Sequence, residues 1–201
     1  MSRVIARRTL LAAALAALSL GACSSGDAPR VHESVPPPTL PAGELRARVL
    51  QPDEVSRSLV PIQAQTGTRD LKAIAAFSAD PTAAEKSLQQ HGFQSAYVVQ
   101  YADPNAAAVV TNVVTKFATV EGATADLTAD LAATGTGAFA VTGLGDQAGG
   151  VRGKLDANAA EGTLITLRWR VGDTTWLLAV GSRTKVDEAS VRRLADTLIG
   201  R

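Results

Sequence analysis

One hairpin near the C-terminal end constrains the fold of this chain more than any other feature. Residues 162–180 read GTLITLRWRVGDTTWLLAV, and bulky apolar side chains alternate along the chain on either side of Gly172-Asp173. A glycine–aspartate pair between alternating strands is typical of a two-residue hairpin turn. The register set by this turn pairs Trp169 with Trp176 and places the bulky apolar side chains on one face. Because a slip of one residue would scramble that separation, the stretch predicts an antiparallel hairpin with one buried face.

The same two-residue period predicts two more strands upstream. FQSAYVVQY places Phe93, Tyr97, Val99 and Tyr101 on one face, and VVTNVVTKF follows it. Amphipathic patterns predict helices in DPTAAEKSLQQHG, VEGATADLTADLAATG and DEASVRRLADTLI. The glycine-rich stretch before the hairpin predicts one strand near residues 138–142 and a long loop. We therefore expect an α+β fold, with a single antiparallel sheet and helices packed on one of its faces.

The N-terminus has the parts of an export signal. It reads MSRVIARRTLLAAALAALSLGAC, in which three arginines precede the uncharged residues 9–20. A helix over that apolar run would be about 18 Å long at about 1.5 Å per residue. The hydrocarbon core of a bilayer is about 30 Å thick, so the run is too short for a permanent membrane span. A basic region, a short apolar region and small residues at its end instead indicate a secretory signal.

The end of this signal resembles the lipobox of bacterial lipoproteins. The matching residues are Leu20, Gly21, Ala22 and Cys23, and Cys23 is the only cysteine of the chain. The resemblance implies transfer of a diacylglyceryl group to the Cys23 sulfur, cleavage before Cys23 and acyl chains such as palmitate on the mature N-terminus. Two acyl chains anchor a protein stably, whereas one binds only marginally. The implied location is the extracytoplasmic side of the cell membrane. In the alternative reading, Cys23 is a small buried hydrophobic residue.

Two export routes are compatible with the paired arginines. Arg7-Arg8 followed by Thr9 resembles a twin-arginine signal, although Ala6 departs from the fuller pattern and no lysine follows. In ordinary Sec export the same arginines supply the positive charge of the signal. Both routes stay open.

Composition divides the chain into three parts. We expect a cleaved signal at residues 1–22, a lipidated cysteine with a proline-rich stalk at 23–43, and a globular α+β domain at 44–201. Removing the signal takes away three arginines and no acidic residues, which leaves 17 basic and 19 acidic side chains. No basic excess remains for binding nucleic acid. With Cys23 modified, thiolate metal sites and cysteine nucleophiles are excluded from the domain.

Three short motifs of the domain resemble a bacterial group. They are Gly92-Phe93 before a strand, Glu121-Gly122-Ala123 at a helix start, and GLGDQA at residues 143–148. Together they resemble small extracytoplasmic domains of actinobacterial lipoproteins and the sensor domains of actinobacterial membrane kinases. The resemblance spans roughly residues 75–199 and implies a fold and a location more than an activity.

No catalytic arrangement is evident, so we expect a protein that is not an enzyme and that needs no cofactor. His32 lies in the stalk and His91 at a helix end, and neither accompanies a nucleophile motif. Asp126 and Asp130 lie four residues apart on one helix, with Glu121 near its start, and could contribute to a divalent cation site. A solvated helix face is the favoured interpretation of these carboxylates, so no metal is expected.

A small basic patch is the one candidate binding surface of the domain. Arg168 and Arg170 on the hairpin, with Arg152 and Lys154 before it, could receive an anionic headgroup, a glycan or an acidic partner. A solvated sheet face, or one covered by a helix with paired charges, is the competing interpretation.

Two hypotheses of function follow from these features. The first is a non-enzymatic binding or sensing module that is held at the cell envelope by its lipid and contacts an envelope protein, glycan or lipid. The alternative is a carrier for a lipid or small apolar ligand, which would need a sizeable apolar cavity.

Overall fold

A computed structural model describes residues 42–155 and 162–201 of the chain. Its strands form one sheet in the order β1-β3-β4-β8-β7-β6-β5, with β2 also paired to β3, and all of these pairs are antiparallel. The strands are β1 (Val60–Pro61), β2 (Gly67–Arg69), β3 (Phe93–Ala102), β4 (Ala108–Phe117), β5 (Ala138–Ala140), β6 (Gln147–Gly153), β7 (Thr163–Val171) and β8 (Thr174–Ser182). The helices are α1 (Ala42–Arg46), α2 (Leu71–Ala75), α3 (Pro81–Gln90), α4 (Val120–Ala132) and α5 (Glu188–Asp196). The predicted α+β class and single antiparallel sheet are confirmed.

The β7–β8 hairpin has the register that the sequence predicts. Trp169 pairs with Trp176, and Gly172 and Asp173 form the two-residue turn between the strands. The two indole rings are stacked, with centroids 5.9 Å apart and an interplanar angle of 4°. Both tryptophans belong to the main hydrophobic core, so this hairpin carries the buried face on which α5 and the segment after α1 pack.

The helical layer is divided between the two faces of the sheet, where the sequence predicted it on one. Val191 and Ala195 of α5 pack in the core that contains Trp169. Asp130 of α4 forms an ion pair with Arg168, which lies next to Trp169 on β7 and therefore points to the opposite face. Within the described residues, no helix is long and apolar enough to cross a membrane.

Phe93 lies on a different face from the one that the sequence predicted. Tyr97, Val99 and Tyr101 belong with the main core, whereas Phe93 packs in a second cluster with Phe117 under α2, α3 and α4. The two phenyl rings meet edge to face, with centroids 6.5 Å apart. A shift of register between Phe93 and Ser95 interrupts the pairing of β3 with β4. An extra residue at such a bulge reverses the alternation, which explains the difference.

The glycine-rich stretch before the hairpin contains a strand that the sequence analysis interpreted as loop. Residues Gln147–Gly153 form β6, which pairs along its length with β7 and partly with β5. The small side chains hide the usual alternation, because glycine offers no apolar signal at Gly149 and Gly150. Residues 156–161 of the predicted loop lie outside the described residues.

The segment that follows α1 is held against the sheet by buried polar side chains. Asn112 of β4 accepts a hydrogen bond from the Leu50 backbone N–H at 3.0 Å and donates one to the Leu177 carbonyl oxygen at 2.9 Å. The Tyr101 hydroxyl donates to the Leu50 carbonyl oxygen at 2.8 Å, and the Trp176 indole N–H donates to the Arg48 carbonyl oxygen at 3.2 Å. Both backbone groups of Leu50 are therefore satisfied by the sheet.

Replacing Asn112 with alanine should lower the free energy of unfolding by about 2 kcal/mol, because the buried Leu50 N–H and the part-buried Leu177 carbonyl oxygen both lose this partner. Denaturant unfolding measures the loss. Gln100→Ala is the matched control, since the half-buried Gln100 amide donates to the Thr111 hydroxyl across the β3–β4 pair and, in the described part of the chain, bonds no backbone group. A loss for Asn112→Ala no larger than that for Gln100→Ala would contradict this role.

Candidate functional site

Two of the three sequence motifs meet where α3 ends and α4 begins, a place that we call the α3–α4 junction. His91 ends α3, and the Gly92 carbonyl oxygen accepts a hydrogen bond from the Ala118 backbone N–H at 2.8 Å. Gly122 lies in the first turn of α4, where a Cβ atom would collide with the His91 carbonyl oxygen. Only glycine permits this close approach of the two backbones, so the junction accounts for the glycine of Glu121-Gly122-Ala123.

A chain of polar side chains runs from this junction to the sheet. The His91 Nδ1 atom lies 3.4 Å from the Asp126 Oδ1 atom, and the Asp130 carboxylate forms an ion pair with the Arg168 guanidinium. The side chains of His91, Asp126 and Arg168 are 19%, 15% and 11% exposed, whereas that of Asp130 is 46% exposed. We call these four residues the junction network. It joins α3, α4 and β7, with Asp130 at its solvent-exposed end.

Burial sets the electrostatics of the junction network. Burial lowers the pKa of Arg168 to about 10, and the nearby Asp126 carboxylate opposes part of that shift. Burial also raises the pKa of Asp126 above its ordinary value, against the effects of His91 and Arg168. A charged group loses hydration when it is buried, so its neutral form is favoured unless a partner compensates. Each buried charge here therefore depends on its neighbours.

An open cleft of about 410 Å³ lies over the α3–α4 junction. Its lining includes His91, Glu121 and the small residues Gly92, Ala118 and Ala125. The cleft therefore offers one half-buried imidazole and one exposed carboxylate on a mostly small-residue floor. The sequence analysis placed His91 at a helix end but missed its contact with Asp126, because no spacing rule joins residues on different helices.

The third motif, GLGDQA, contacts and stabilises the turn of the β7–β8 hairpin. The Asp146 carboxylate accepts hydrogen bonds from the Arg170 guanidinium and from the Gly172 backbone N–H, each at 2.9 Å. Gly145 has a φ of +64°, and a Cβ atom there would collide with the Arg170 carbonyl oxygen. Leu144 is buried in the main core. The motif thus holds the turn of the β7–β8 hairpin and offers no phosphate loop.

A second open groove, of about 310 Å³, lies beside the edge strand β5. Its lining includes Leu131 of α4, Thr134 just after that helix, Phe139 of β5, and Gly149 and Gly150 of β6. Neither groove is an enclosed apolar cavity of the kind that the carrier hypothesis requires.

The predicted basic patch does not form, because its four residues lie on different faces. Arg168 and Arg170 share one face and are largely buried in ion pairs with Asp130 and Asp146. Arg152 pairs with Ile165 and points to the other face, where its guanidinium lies 4.3 Å from the centre of the Phe139 ring.

Arg152 has a second partner on this face, because it also forms an ion pair with Glu188 of α5. Lys154, the fourth residue of the predicted patch, is exposed after the end of β6. The competing interpretation, a sheet face covered by a helix with paired charges, describes Arg168, while Arg170 is paired with Asp146 of the GLGDQA loop.

Two of the three carboxylates considered for a cation contact other side chains. Asp126 contacts His91 and Asp130 pairs with Arg168, while Glu121 is exposed at the helix start. Over residues 42–155 and 162–201, no group of three or more potential metal-ligating side chains is found. The predicted signal and lipidation residues, Arg7, Arg8, Leu20, Gly21, Ala22 and Cys23, lie outside the described residues.

The solved structures include a domain that is distantly similar to this chain in fold. No protein-family model matches this chain, and no curated protein matches it. The crystal structure of the extracellular domain of PknH from Mycobacterium tuberculosis aligns over 82% of this chain and 99% of that chain, with a TM-score of 0.49 and 11% sequence identity. At that distance the likeness assigns no role to any residue.

Proposed function

We propose that this chain is a lipid-anchored protein of the cell envelope whose globular part is a non-enzymatic binding or sensing module. The observation that carries the proposal is the sequence Leu20-Gly21-Ala22-Cys23 at the end of a short apolar run that follows three arginines. Only a thiol at this place can accept the diacylglyceryl group, and the chain has one cysteine. Two acyl chains would hold the protein at the extracytoplasmic side of the membrane.

The polar side chains that could have formed a catalytic site make structural contacts instead, which supports a binding module over an enzyme. Arg168, Arg170 and Asp146 are used in contacts that hold strands and helices together. His91 is the one histidine of the described residues, and its side chain contacts Asp126. Within residues 42–155 and 162–201, no serine or threonine hydroxyl is hydrogen-bonded to this imidazole, whereas nucleophilic catalysis needs a nucleophile and a base within hydrogen-bond reach.

The shapes of the two grooves favour contact with a partner over storage of an apolar ligand. Both are open, with volumes of about 410 and 310 Å³, and both have small side chains in their lining. A carrier buries most of the surface of its ligand in a closed pocket. Native mass spectrometry of the protein purified from its host separates the two hypotheses: a co-purifying protein supports the module, and a co-purifying lipid held apart from the anchor supports the carrier.

Replacing Cys23 with alanine should move the protein from the membrane fraction to the soluble fraction and abolish labelling by a palmitate analogue. The reason is that the acyl chains supply essentially all of the membrane affinity, at about 0.8 kcal/mol per buried CH₂ group. Fractionation, metabolic labelling and intact mass of the mature chain measure the change.

Ser25→Ala is the matched control, because it alters a residue next to the processing site and leaves the lipobox unchanged. This variant should remain acylated and membrane-bound. A Cys23→Ala protein that stays in the membrane fraction would contradict lipid anchorage.

A further inference from the structure

We propose that the outer edge of β5 binds an extended peptide segment of a partner protein, which adds a strand to the sheet. The segment pairs with the backbone of Ala138 and Ala140 and places one apolar side chain in the groove of about 310 Å³ beside them. A basic residue of the segment flanks that side chain. This inference rests on the binding module proposed above, because it gives that module a binding surface and a class of partner.

The pairing of β5 with β6 determines which backbone groups of β5 face outward. The Arg152 backbone N–H donates to the carbonyl oxygen of Gly137, the residue opposite it, so this pair is hydrogen-bonded. Hydrogen-bonded and non-hydrogen-bonded pairs alternate along an antiparallel ladder. Phe139 therefore bonds to β6, whereas Ala138 and Ala140 direct their N–H and carbonyl groups away from it.

Both outward residues of β5 are exposed and have an unpaired backbone. β5 is the last strand in the order of the sheet, and in the part of the chain that the structure describes no residue bonds the outward groups of Ala138 or Ala140. Two donors and two acceptors therefore lie along a strand about 10 Å long. A row of unpaired backbone groups is a template for another strand.

The β5 edge lacks the features that usually prevent strand addition. Natural edge strands carry proline, charged side chains or bulges that block pairing with another chain. The opposite edge of this sheet has two of these features, Pro61 in β1 and Arg69 in β2. By contrast, residues 131–145, which include β5, contain no proline and no charged residue. The β5 edge is therefore open to a partner strand.

The groove beside β5 can receive a side chain of the added strand. Ala140 lies opposite Gly149, over which Leu131 of α4 packs so closely that a Cβ atom on Gly149 would collide with it. Alanine and glycine thus leave open space between the end of α4 and the strand edge. A partner residue opposite Ala138 directs its side chain to the same face of the sheet, and so toward this groove.

The charges around the groove favour a basic segment. Asp130 precedes Leu131 in α4, and its side chain is 46% exposed. The last turn of α4 contains no basic residue, and the C-terminal end of a helix carries negative partial charge. On the other face of β5, Arg152 is already paired with Glu188. A lysine or arginine beside the apolar side chain is therefore preferred over an acidic residue.

A second copy of this chain is a less suitable occupant of the β5 edge. A stable dimer of folded proteins buries about 1,200–2,000 Å² in total. Two edges of three residues each meet over only about 10 Å, and the rest of that area would have to come from surfaces that happen to fit. An extended peptide forms the same backbone hydrogen bonds without that requirement, because it adapts to the strand that it joins.

Titration with the peptide Lys-Thr-Val-Thr-Lys, blocked at both ends, tests the proposal. Its valine and lysine side chains share one face of a strand, so the valine can enter the groove while a lysine lies beside it. The full-length chain is used with Cys23→Ala, which keeps it free of acyl groups. We expect a Kd of about 1 mM or tighter, with the largest NMR shift changes at residues 138–140 and 149.

Two matched peptides identify the chemistry of the interaction. N-methylation of the valine removes a backbone donor that faces β5, so this peptide should bind at least about tenfold more weakly. The peptide Glu-Thr-Val-Thr-Glu retains the backbone and the valine but reverses the charge, and it should bind about threefold more weakly.

Replacing Ala140 with proline removes one outward N–H of the β5 edge. Proline is tolerated on an edge strand where the N–H faces solvent, so the fold should persist and peptide binding should weaken about tenfold. Ala140→Ser is the matched control, because it keeps the backbone and a small side chain, and it should bind as the parent does. If Ala140→Pro does not fold, Ala140→Lys replaces it, since a lysine there repels the basic peptide and fills the groove.

Several outcomes would overturn the proposal. They are the absence of shift changes at residues 138–140, equal binding of the N-methylated peptide, and undiminished binding by Ala140→Pro. A concentration-dependent dimer that Ala140→Pro abolishes would assign the edge to a second copy instead.

Native mass spectrometry separates this proposal from that of the binding module. A host protein that co-purifies undiminished with Ala140→Pro would support the module and contradict the β5 edge as its binding surface. Peptide binding at β5 without any co-purifying host protein would support the edge and contradict the module.

Discussion

Replacing Arg168 with methionine should lower the free energy of unfolding by about 3–5 kcal/mol. Methionine retains the apolar stem of the side chain but removes the charge that Asp126 and Asp130 face. Asp126 is then a buried carboxylate whose remaining partner is His91. The penalty of an uncompensated buried charge is larger than the value of one ion pair, which is why the loss should be severe. Urea unfolding near neutral pH measures it.

The loss should shrink as the pH falls, because protonation of Asp126 removes the uncompensated charge. Without Arg168 the pKa of Asp126 should rise further, so the stability of the variant should recover as the pH drops through that value. Arg168→Met/Asp126→Asn is the matched control and should recover much of the stability near neutral pH. A loss under about 1 kcal/mol for Arg168→Met would show that the junction network contributes little to stability.

Replacing Trp169 with alanine should cost about 3–5 kcal/mol of stability, through a large cavity in the main core. Trp169 is fully buried and stacked on Trp176 across the hairpin. Removing the indole also leaves Trp176 without its stacking partner, and such aromatic pairs contribute about 0.5–1.5 kcal/mol beyond the area that they bury. Thermal and denaturant unfolding should agree on the loss. The hairpin register itself should persist, because its turn and its other apolar pairs remain.

Phenylalanine substitutions distinguish the two indoles. The Trp176 indole N–H donates to the Arg48 carbonyl oxygen, whereas the buried Trp169 indole N–H has no hydrogen-bond partner in the described structure. Trp176→Phe therefore loses a part-buried hydrogen bond, at about 1 kcal/mol, while Trp169→Phe removes an unsatisfied donor. We expect Trp176→Phe to be the more destabilising of the two. The reverse order would contradict the assigned role of the Trp176 contact.

Sequence patterns of a few residues predicted the ends of α3, because contacts between nearby residues determine where a helix begins and ends. Asp80 accepts a hydrogen bond from the Ala83 backbone N–H at the start of α3, and Gly92 has a φ of +76° just after its end, which are the roles of an aspartate before and a glycine after a helix. The same kind of reasoning misses β6, because the glycines at its centre interrupt the alternation of side chains. The bulge near Phe93 could not be predicted from the sequence either, since one extra residue in a strand does not change its composition.

The candidate site depended on contacts between distant elements. His91 and Asp126 are 35 residues apart, and nothing in either helix sequence indicates that they meet. Arg168 and Arg170 were correctly placed on the polar face of the hairpin, yet their partners come from α4 and from the GLGDQA loop. Arg152 belongs to β6, and its face could not be assigned before that strand was known.

The amino-acid sequence by itself determined the hairpin register, the helix starts, the single antiparallel sheet and the prediction of a lipidated Cys23. Each of these features depends on residues that are close together along the chain, so their spacing and side-chain chemistry are visible in the sequence. Only the tertiary structure decided which charges are buried, which are paired and where α3 meets α4. Those properties arise from packing between elements, and the energy of a charge depends on what surrounds it in space rather than on its neighbours along the chain.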